Sequence, residues 1–288
     1  MLRIHPLLFL GGLAVSSLTA AEGYRFPTGK PILYRYDLDQ EVAMSTAGDH
    51  LQFTSRISWI MSLEGLAQEA TAGGLTPVRL AIQAVTAQHQ APGLTRFYDS
   101  ATNTDSRGTD PLLSGLQALV GATLTLYLDP TTGRIPRVTG GERIAAAFAR
   151  LHPNPADPGA PSPLASAART VYQDDALARL WTGILLLPSP DRQAVPAGAP
   201  LTGFLVRSWQ GTTWTGALDP AKQQLTLDLP PMAVTGQIEN CTAQGSLTLA
   251  DGVPAQGQGT LGYSLALIAM TQPVNQQHRL TWRLQRQP

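Results

Sequence analysis

The chain has 288 residues, 43% hydrophobic and only 14% charged, and its 20 basic and 20 acidic groups cancel. That balance argues against a nucleic-acid binder, which needs a clustered basic face. The hydrophobic fraction argues against disorder, and 27 Gly with 23 Pro predict many turns.

In chain order, residues 1–21 read as a leader. Arg3 is an early cation, Leu7 to Leu18 is an apolar run, and Thr19-Ala20-Ala21 supplies small residues before a cut. The run is shorter than the roughly 20 residues that span a bilayer. The pattern predicts a secretory signal peptide cleaved after Ala21; the alternative is an uncleaved anchor. No Cys stands near the cut, so a lipid-modified N-terminus is not expected. No later stretch is apolar enough to span, and the longest candidate is Trp181 to Leu187.

Residues 22–140 read as β-rich. Leu51, Phe53, Ile57, Trp59, Met61 and Leu63 alternate with polar residues, the period-two signature of a strand with one buried face. Ile32 to Leu38, Val78 to Val85 and Leu94 to Tyr98 are further strands. Thr123 to Leu128 alternates, Asp129-Pro130-Thr131-Thr132-Gly133 forms a turn, and Arg134 to Val138 returns as the second strand of a hairpin. A helix is predicted between these strands, capped by Asp110-Pro111. It carries Leu112, Leu113, Leu116, Leu119 and Val120 on one face and stops at Gly121.

Residues 141–200 read as a helical segment. One helix spans Glu142 to Leu151, with Ile144, Phe148 and Leu151 inward. The Pro-rich stretch Pro153 to Pro163 excludes helix or central strand. Another helix spans Leu164 to Leu187, with Ala168, Val171, Leu180, Trp181, Ile184 and Leu185 on one side. Residues 201–288 return to strands: Leu225 to Leu229, Ser246 to Leu249, Thr260 to Met270 and Leu280 to Leu284. Gly121 to Pro130 and Gly211 to Pro220 agree at Gly, Thr, Thr, Leu, Asp and Pro, which leaves open two related β halves or two hairpins with similar turn chemistry.

The chemistry-bearing residues are sparse. There is no G-x-S-x-G, S-x-x-K, H-E-x-x-H or P-loop, and no G-x-G-x-x-G opening a helix after a strand. His50, His89, His152 and His278 are mutually distant, so no local metal pair is written. Lys30 and Lys222 are the only lysines. Cys241, the single cysteine, cannot form an internal disulfide and reads as a small buried hydrophobe. Asn240-Cys241-Thr242 matches a glycosylation acceptor. Asp174-Asp175 point about 100° apart on a helix and read as a solvated face. Asp99, Asp105 and Asp110 sit in a polar loop and read as turn formers rather than a Ca²⁺ site. Trp59, Trp181, Trp209, Trp214 and Trp282 read mostly as core, with an apolar ligand groove as the alternative. No catalytic residue, metal ligand or cofactor is assigned.

Phe97-Tyr98-Asp99-Ser100, the stretch Leu116 to Gly121, and Leu126 to Gly140 together resemble a family of exported β-rich bacterial proteins of unknown function, common in planctomycetes and related groups. The family pattern is a Tyr-Asp-Ser stretch, a Leu-rich helix ending in Gly, and a strand–turn–strand ending in Val-x-Gly. A later family segment carries Gly-Asp-x-Trp; here Leu187 to Leu201 takes that place without the Asp or Trp. The resemblance implies export to the periplasm or beyond and carries over no activity or catalytic residues.

The expected fold is α+β and β-rich: a large antiparallel curved sheet packed on a helical insert, with two domains joined by the Pro-rich stretch as the alternative. The expected function is that of an exported, non-catalytic envelope protein binding an apolar or lipid-like ligand, or an envelope protein partner, on that sheet. An exported hydrolase assembled from sequence-distant residues and a structural or adhesion module are the other readings.

Overall fold

The computed structural model describes residues 23–46, 48–67, 73–102, 104–105, 116–157, 160–162, 165–166, 169, 172–185, 187, 193–196, 204–218, 224–229, 232–269 and 272–288. The expected leader at residues 1–21, the expected cap at Asp110-Pro111, Lys222, Ala168, Val171 and most of Leu187 to Leu201 lie outside these residues.

Seven strands precede two helices: β1 (Ile32–Ser45), β2 (His50–Gly65), β3 (Thr76–Ala91), β4 (Leu94–Asp99), β5 (Thr104–Asp105), β6 (Thr123–Leu128) and β7 (Arg137–Thr139). Besides short helical stretches such as 116–119, the helices whose full extent is described are α1 (Gly141–Leu151) and α2 (Asp174–Leu185). Seven more strands follow: β8 (Gln193–Pro196), β9 (Phe204–Gln210), β10 (Thr213–Leu218), β11 (Gln224–Leu229), β12 (Met232–Ala250), β13 (Val253–Ala269) and β14 (Gln272–Arg286).

All fourteen strands join one open antiparallel sheet. Eleven of them run in the order β5-β4-β3-β2-β1-β14-β13-β12-β10-β9-β8, while β11 pairs with β12 and β6 bridges β3 and β7. The first and last strands close the order in its middle. β1 pairs with β14 from Tyr34↔Arg286 to Ser45↔Asn275, so the two β-rich regions form a single sheet. The two similar decapeptides sit in unlike places. β6 pairs with the strand after it, whereas β10 pairs with the strand before it.

Turn chemistry explains the tight reversals. Between β12 and β13, Asp251 and Gly252 have φ of 55° and 74°, the pair of left-handed positions that a two-residue hairpin turn requires. The β6–β7 turn is held by Asp129. Its carboxylate accepts from the Thr131 amide (2.9 Å) and hydroxyl (2.7 Å), and from the Thr132 amide (3.3 Å) and hydroxyl (2.7 Å). The expected first strand and turn are found, while the return is the short β7 at Arg137–Thr139 rather than a strand from Arg134.

The core lies on one sheet face, here the inner face. Ile32, Tyr34 and Tyr36 of β1, Met61 and Leu63 of β2, Val78, Leu80, Ile82 and Val85 of β3, and Leu124, Leu126 and Leu128 of β6 alternate inward. A register shift in the β2–β3 pairing, between Ile60 and Met61, accompanies the move of the inward set on β3 from even to odd positions. The α2 residues Leu177, Ala178, Trp181, Ile184 and Leu185 complete this core. Trp181 meets Tyr36 and Trp59 at ring distances of 6.2 and 6.5 Å. Thr182 Oγ1 accepts from the Ile135 amide at 3.0 Å, and the Tyr24 hydroxyl donates to the Leu185 carbonyl at 2.7 Å.

Two helix expectations need correction. Leu151 is 39% exposed rather than inward; it occupies the last turn of α1, where the chain turns away at His152. The helix expected to run unbroken from Leu164 is interrupted by a turn at Tyr172 and Gln173, and α2 starts at Asp174. Asp174 and Asp175 therefore occupy its first turn, where acidic side chains complement the helix dipole. Asp174 Oδ1 also accepts from the Gly141 amide at 3.2 Å.

Candidate functional site

The inner face has two regimes. Over β1, β2, β3 and β6 it is sealed by the helices and by the Tyr36–Trp59–Trp181 cluster. Over β9, β10 and β12 to β14 a second cluster gathers Trp214, Ile238, Ala243, Tyr263, Leu265 and Leu267. Cys241, Leu261, Val274 and Leu280 pack against it at intermediate exposure. On β1 Leu280 faces Gln40, while Val42 and Met44 lie opposite His278 and Gln276 and pair in turn with Phe53 and Leu51 of β2; these four apolar side chains on the same face are also only partly buried. An apolar band thus continues past the helix-sealed core.

One row of this face is built from tryptophan and glycine. Trp214 lies opposite Gly245, Gly245 opposite Gly259, and Gly259 opposite Trp282. A Cβ on Gly245 would lie 2.6 Å from Trp214 Cζ2, and one on Gly259 would lie 2.6 Å from Trp282 Cε2. Ordinary carbon contacts lie at about 3.5–4.0 Å. The two indoles therefore fold down over a glycine pair that only hydrogen side chains can provide. Trp209 pairs with Trp214 across β9 and β10, edge to face at 6.4 Å.

Polar groups punctuate the apolar surface. Arg207, opposite Gly216, is only 4% exposed. Its Nη2 donates to the Gly183 carbonyl of α2 at 2.6 Å, and its guanidinium carbon stands 4.0 Å from the Trp214 ring centroid. Burial lowers its pKa to about 9, which leaves it charged at neutral pH. Tyr263 and His278 stack at 4.5 Å with rings 3° from parallel, and His278 Nε2 bonds Gln276 Oε1 at 2.9 Å. Burial pushes the His278 pKa down, so the neutral ring is favoured. Arg207 Nε, Trp209 Nε1, Tyr263 Oη and His278 Nδ1 are buried without a hydrogen-bond partner, as are Tyr34 Oη and Trp59 Nε1 nearer the helices. All six belong to the inner face.

Comparison with known proteins finds little. No family model and no curated protein matches the chain. Among solved structures, DynF from the dynemicin biosynthesis pathway of Micromonospora chersina aligns over 98% of this chain and 92% of its own, at 10% identity and a TM-score of 0.24. The Pseudomonas aeruginosa MucA/MucB complex aligns over 86% and 88%, at 12% identity and a TM-score of 0.13. Likenesses this weak carry no argument.

The remaining sequence candidates are dispersed. Ser55 Oγ and His89 Nδ1 are 2.9 Å apart on the inner face, the geometry of a nucleophile beside a base. No carboxylate orients His89 through its other ring nitrogen among the described residues. His50 is exposed on the outer side of β2. His152 packs against Phe148 with ring centroids 4.6 Å apart and planes tilted by 35°. Among the described residues no group of three His, Cys, Asp or Glu could hold a metal ion. Asp99 accepts from the Ala101 amide at 2.9 Å as a turn former, and the backbone of Asp105 pairs with Tyr98; Asp110 lies outside the described residues. Cys241 is half-buried and follows Asn240, whose φ of 50° marks a bulge in β12.

Sequence reasoning missed Arg207. Its only signal is positional: it shares the period-two face of Trp209 in Phe204–Gln210, a place where an apolar residue is expected.

Proposed function

We propose that this is an exported, non-catalytic bacterial envelope protein that holds an apolar, lipid-like small molecule on the inner sheet face beside the second cluster. What supports the reading is one conjunction: a partly buried apolar band adjoins four buried polar atoms that have no partner. Unpaired buried donors and acceptors each cost about 1–3 kcal/mol, and ligand sites are apolar surfaces with a few convergent polar groups. The leader at residues 1–21 and the resemblance to exported proteins fit the compartment. Among the described residues no helix is long and apolar enough to cross a membrane.

Native mass spectrometry of protein isolated from its own cell envelope tests this directly. A bound species of lipid mass is expected, together with saturable binding of the probe 1-N-phenylnaphthylamine. Placing a carboxylate in the band, Leu261→Asp, should weaken probe binding about tenfold, the effect of roughly 1.4 kcal/mol. Protein free of any small molecule that also fails to bind the probe saturably would overturn the proposal, as would a co-purifying protein in place of a lipid.

A further inference from the structure

Resting on that reading, we propose that the ligand is an anionic amphiphile, a carboxylate or phosphate on a hydrocarbon chain, and that Arg207 receives its head. Arg207 is the one buried side chain of fixed charge among the described residues. Among those residues no carboxylate stands within 4.0 Å of it; the ion pairs are Arg35–Asp37, Arg56–Asp39 and Arg79–Glu64, all on the outer face. A buried charge is strongly unfavourable unless a partner compensates it.

A simpler role is available: Arg207 meets a carbonyl in the last turn of α2, where the helix dipole favours a cation. That contact accounts for one of the five guanidinium N–H groups. The helix end supplies about half a charge, so the guanidinium is left incompletely neutralised, and its Nε is unpartnered. The surroundings direct what remains. Trp214 fixes the guanidinium plane from the ring face. Trp209, two residues along the same face of β9, offers a second unpartnered buried donor at Nε1. The next positions across the sheet are Gly216 and Ala243, the smallest side chains available. Beyond Ala243 lie Leu261 and then Leu280, which faces Gln40, with the apolar Val42, Met44, Phe53 and Leu51 further along the same face. An oxyanion at Arg207 thus has two N–H donors from β9 and a hydrocarbon-lined course away from it.

The test compares three 16-carbon ligands by displacement of 1-N-phenylnaphthylamine from the full chain: palmitate, hexadecyl phosphate and neutral 1-hexadecanol. Both anions should bind at least about tenfold more tightly than the alcohol, as expected for charge-assisted hydrogen bonds in a desolvated site. In Arg207→Met that preference should vanish while hexadecanol affinity stays within about twofold. If Arg207→Met folds poorly, Arg207→Gln, which keeps a donor for the Gly183 carbonyl, makes the same comparison. Equal binding of acid and alcohol by the wild type would overturn the inference and leave the carrier reading standing. A preference that survives in Arg207→Met or Arg207→Gln would also overturn it, because the head is then recognised elsewhere. Absence of saturable binding for all three would sink the carrier reading together with the inference.

Discussion

Replacing Gly259 by alanine tests the packing logic of the inner face. A Cβ there would press closest on Trp282 Nε1 and lie 2.6 Å from Cε2 and 2.8 Å from Cζ2, so the indole must lift by about 1 Å to restore ordinary contact. A gap of that size forfeits a quarter to a half of each affected dispersion contact. Trp282 packs against both clusters, with contacts of about 0.1–0.2 kcal/mol each. Losing part of the contacts on one ring face amounts to about 1–2 kcal/mol. Relief of the glycine entropy cost in a strand returns about 0.5–1 kcal/mol. The net destabilisation expected for Gly259→Ala is therefore about 1 kcal/mol, read as a lowered urea midpoint at unchanged slope. In a Trp282→Ala background the clash is gone, and the same change should stabilise by about 0.5–1 kcal/mol. The double-mutant cycle should thus show a coupling of about 2 kcal/mol with a change of sign between backgrounds. An equal cost for Gly259→Ala in both backgrounds would refute the account of the glycine row.

Three further outcomes are expected. Gly133 has φ of +72°, and its Cβ would lie 2.9 Å from the Leu187 amide nitrogen; Gly133→Ala combines left-handed strain with a backbone clash and should cost about 3 kcal/mol or more, seen as a large drop in Tm or loss of soluble protein. Burial raises the Asp129 pKa, but four hydrogen bonds from Thr131 and Thr132 outweigh it and leave the carboxyl below its ordinary value. The stability contribution is then complete above the unfolded value near 4 and is lost as pH falls through the folded one, so Asp129→Asn should flatten the urea midpoint between about pH 5 and pH 3. Burial likewise lowers the His278 pKa: the unfolded ring takes up a proton first, and its contribution is lost as pH falls below about 6.5. His278→Gln should make the midpoint less sensitive to pH between about 7 and 5, and an unchanged slope there would contradict the burial of a neutral ring.

The elements that alternate cleanly in apolar and polar residues were legible. Thr123 to Leu128 and the Asp129 turn appear as expected, because the inward positions are Leu124, Leu126 and Leu128 and the turn is set by local side chains; the return strand is shorter than expected, Arg137–Thr139. The C-terminal strands are longer than alternation suggests: Ser246 to Leu249 is the end of a 19-residue β12. Gly245, Gly257, Gly259 and His278 occupy inner-face positions there, which erases the apolar signal that a period-two reading needs. The Asp251-Gly252 turn is the local cue that would have joined β12 and β13. The break before α2 left no mark because Trp181, Ile184 and Leu185 continue the apolar stripe. Pairing of β1 with β14 was out of reach altogether, since it joins residues more than 200 positions apart and depends on the register of the whole sheet.

Three readings compete for the inner face, and its polar groups bear on each of them. A hydrolase needs a base oriented by a third group and donors aimed at a developing oxyanion; Ser55 and His89 supply the first contact, and no ion pair or hydrogen bond joins His89 to a carboxylate among the described residues. An adhesion module needs a contiguous exposed apolar patch. Among the described residues the exposed large hydrophobics are Leu33, Leu94, Phe97, Leu151 and Ile268, scattered over β1, β4, α1 and β13. A binding face predicts something different: apolar surface that is only half covered, next to polar atoms that folding alone leaves unsatisfied. Placement of charge strengthens that choice. In a chain only 14% charged, the ion pairs occupy the outer face, where each is worth little. One guanidinium is nevertheless held inside, against a tryptophan and a helix carbonyl. Replacing such a group by an apolar residue of similar volume is often neutral or stabilising, so packing alone does not account for the arginine. A negatively charged ligand at Arg207 accounts for the cost and for the apolar band beside it.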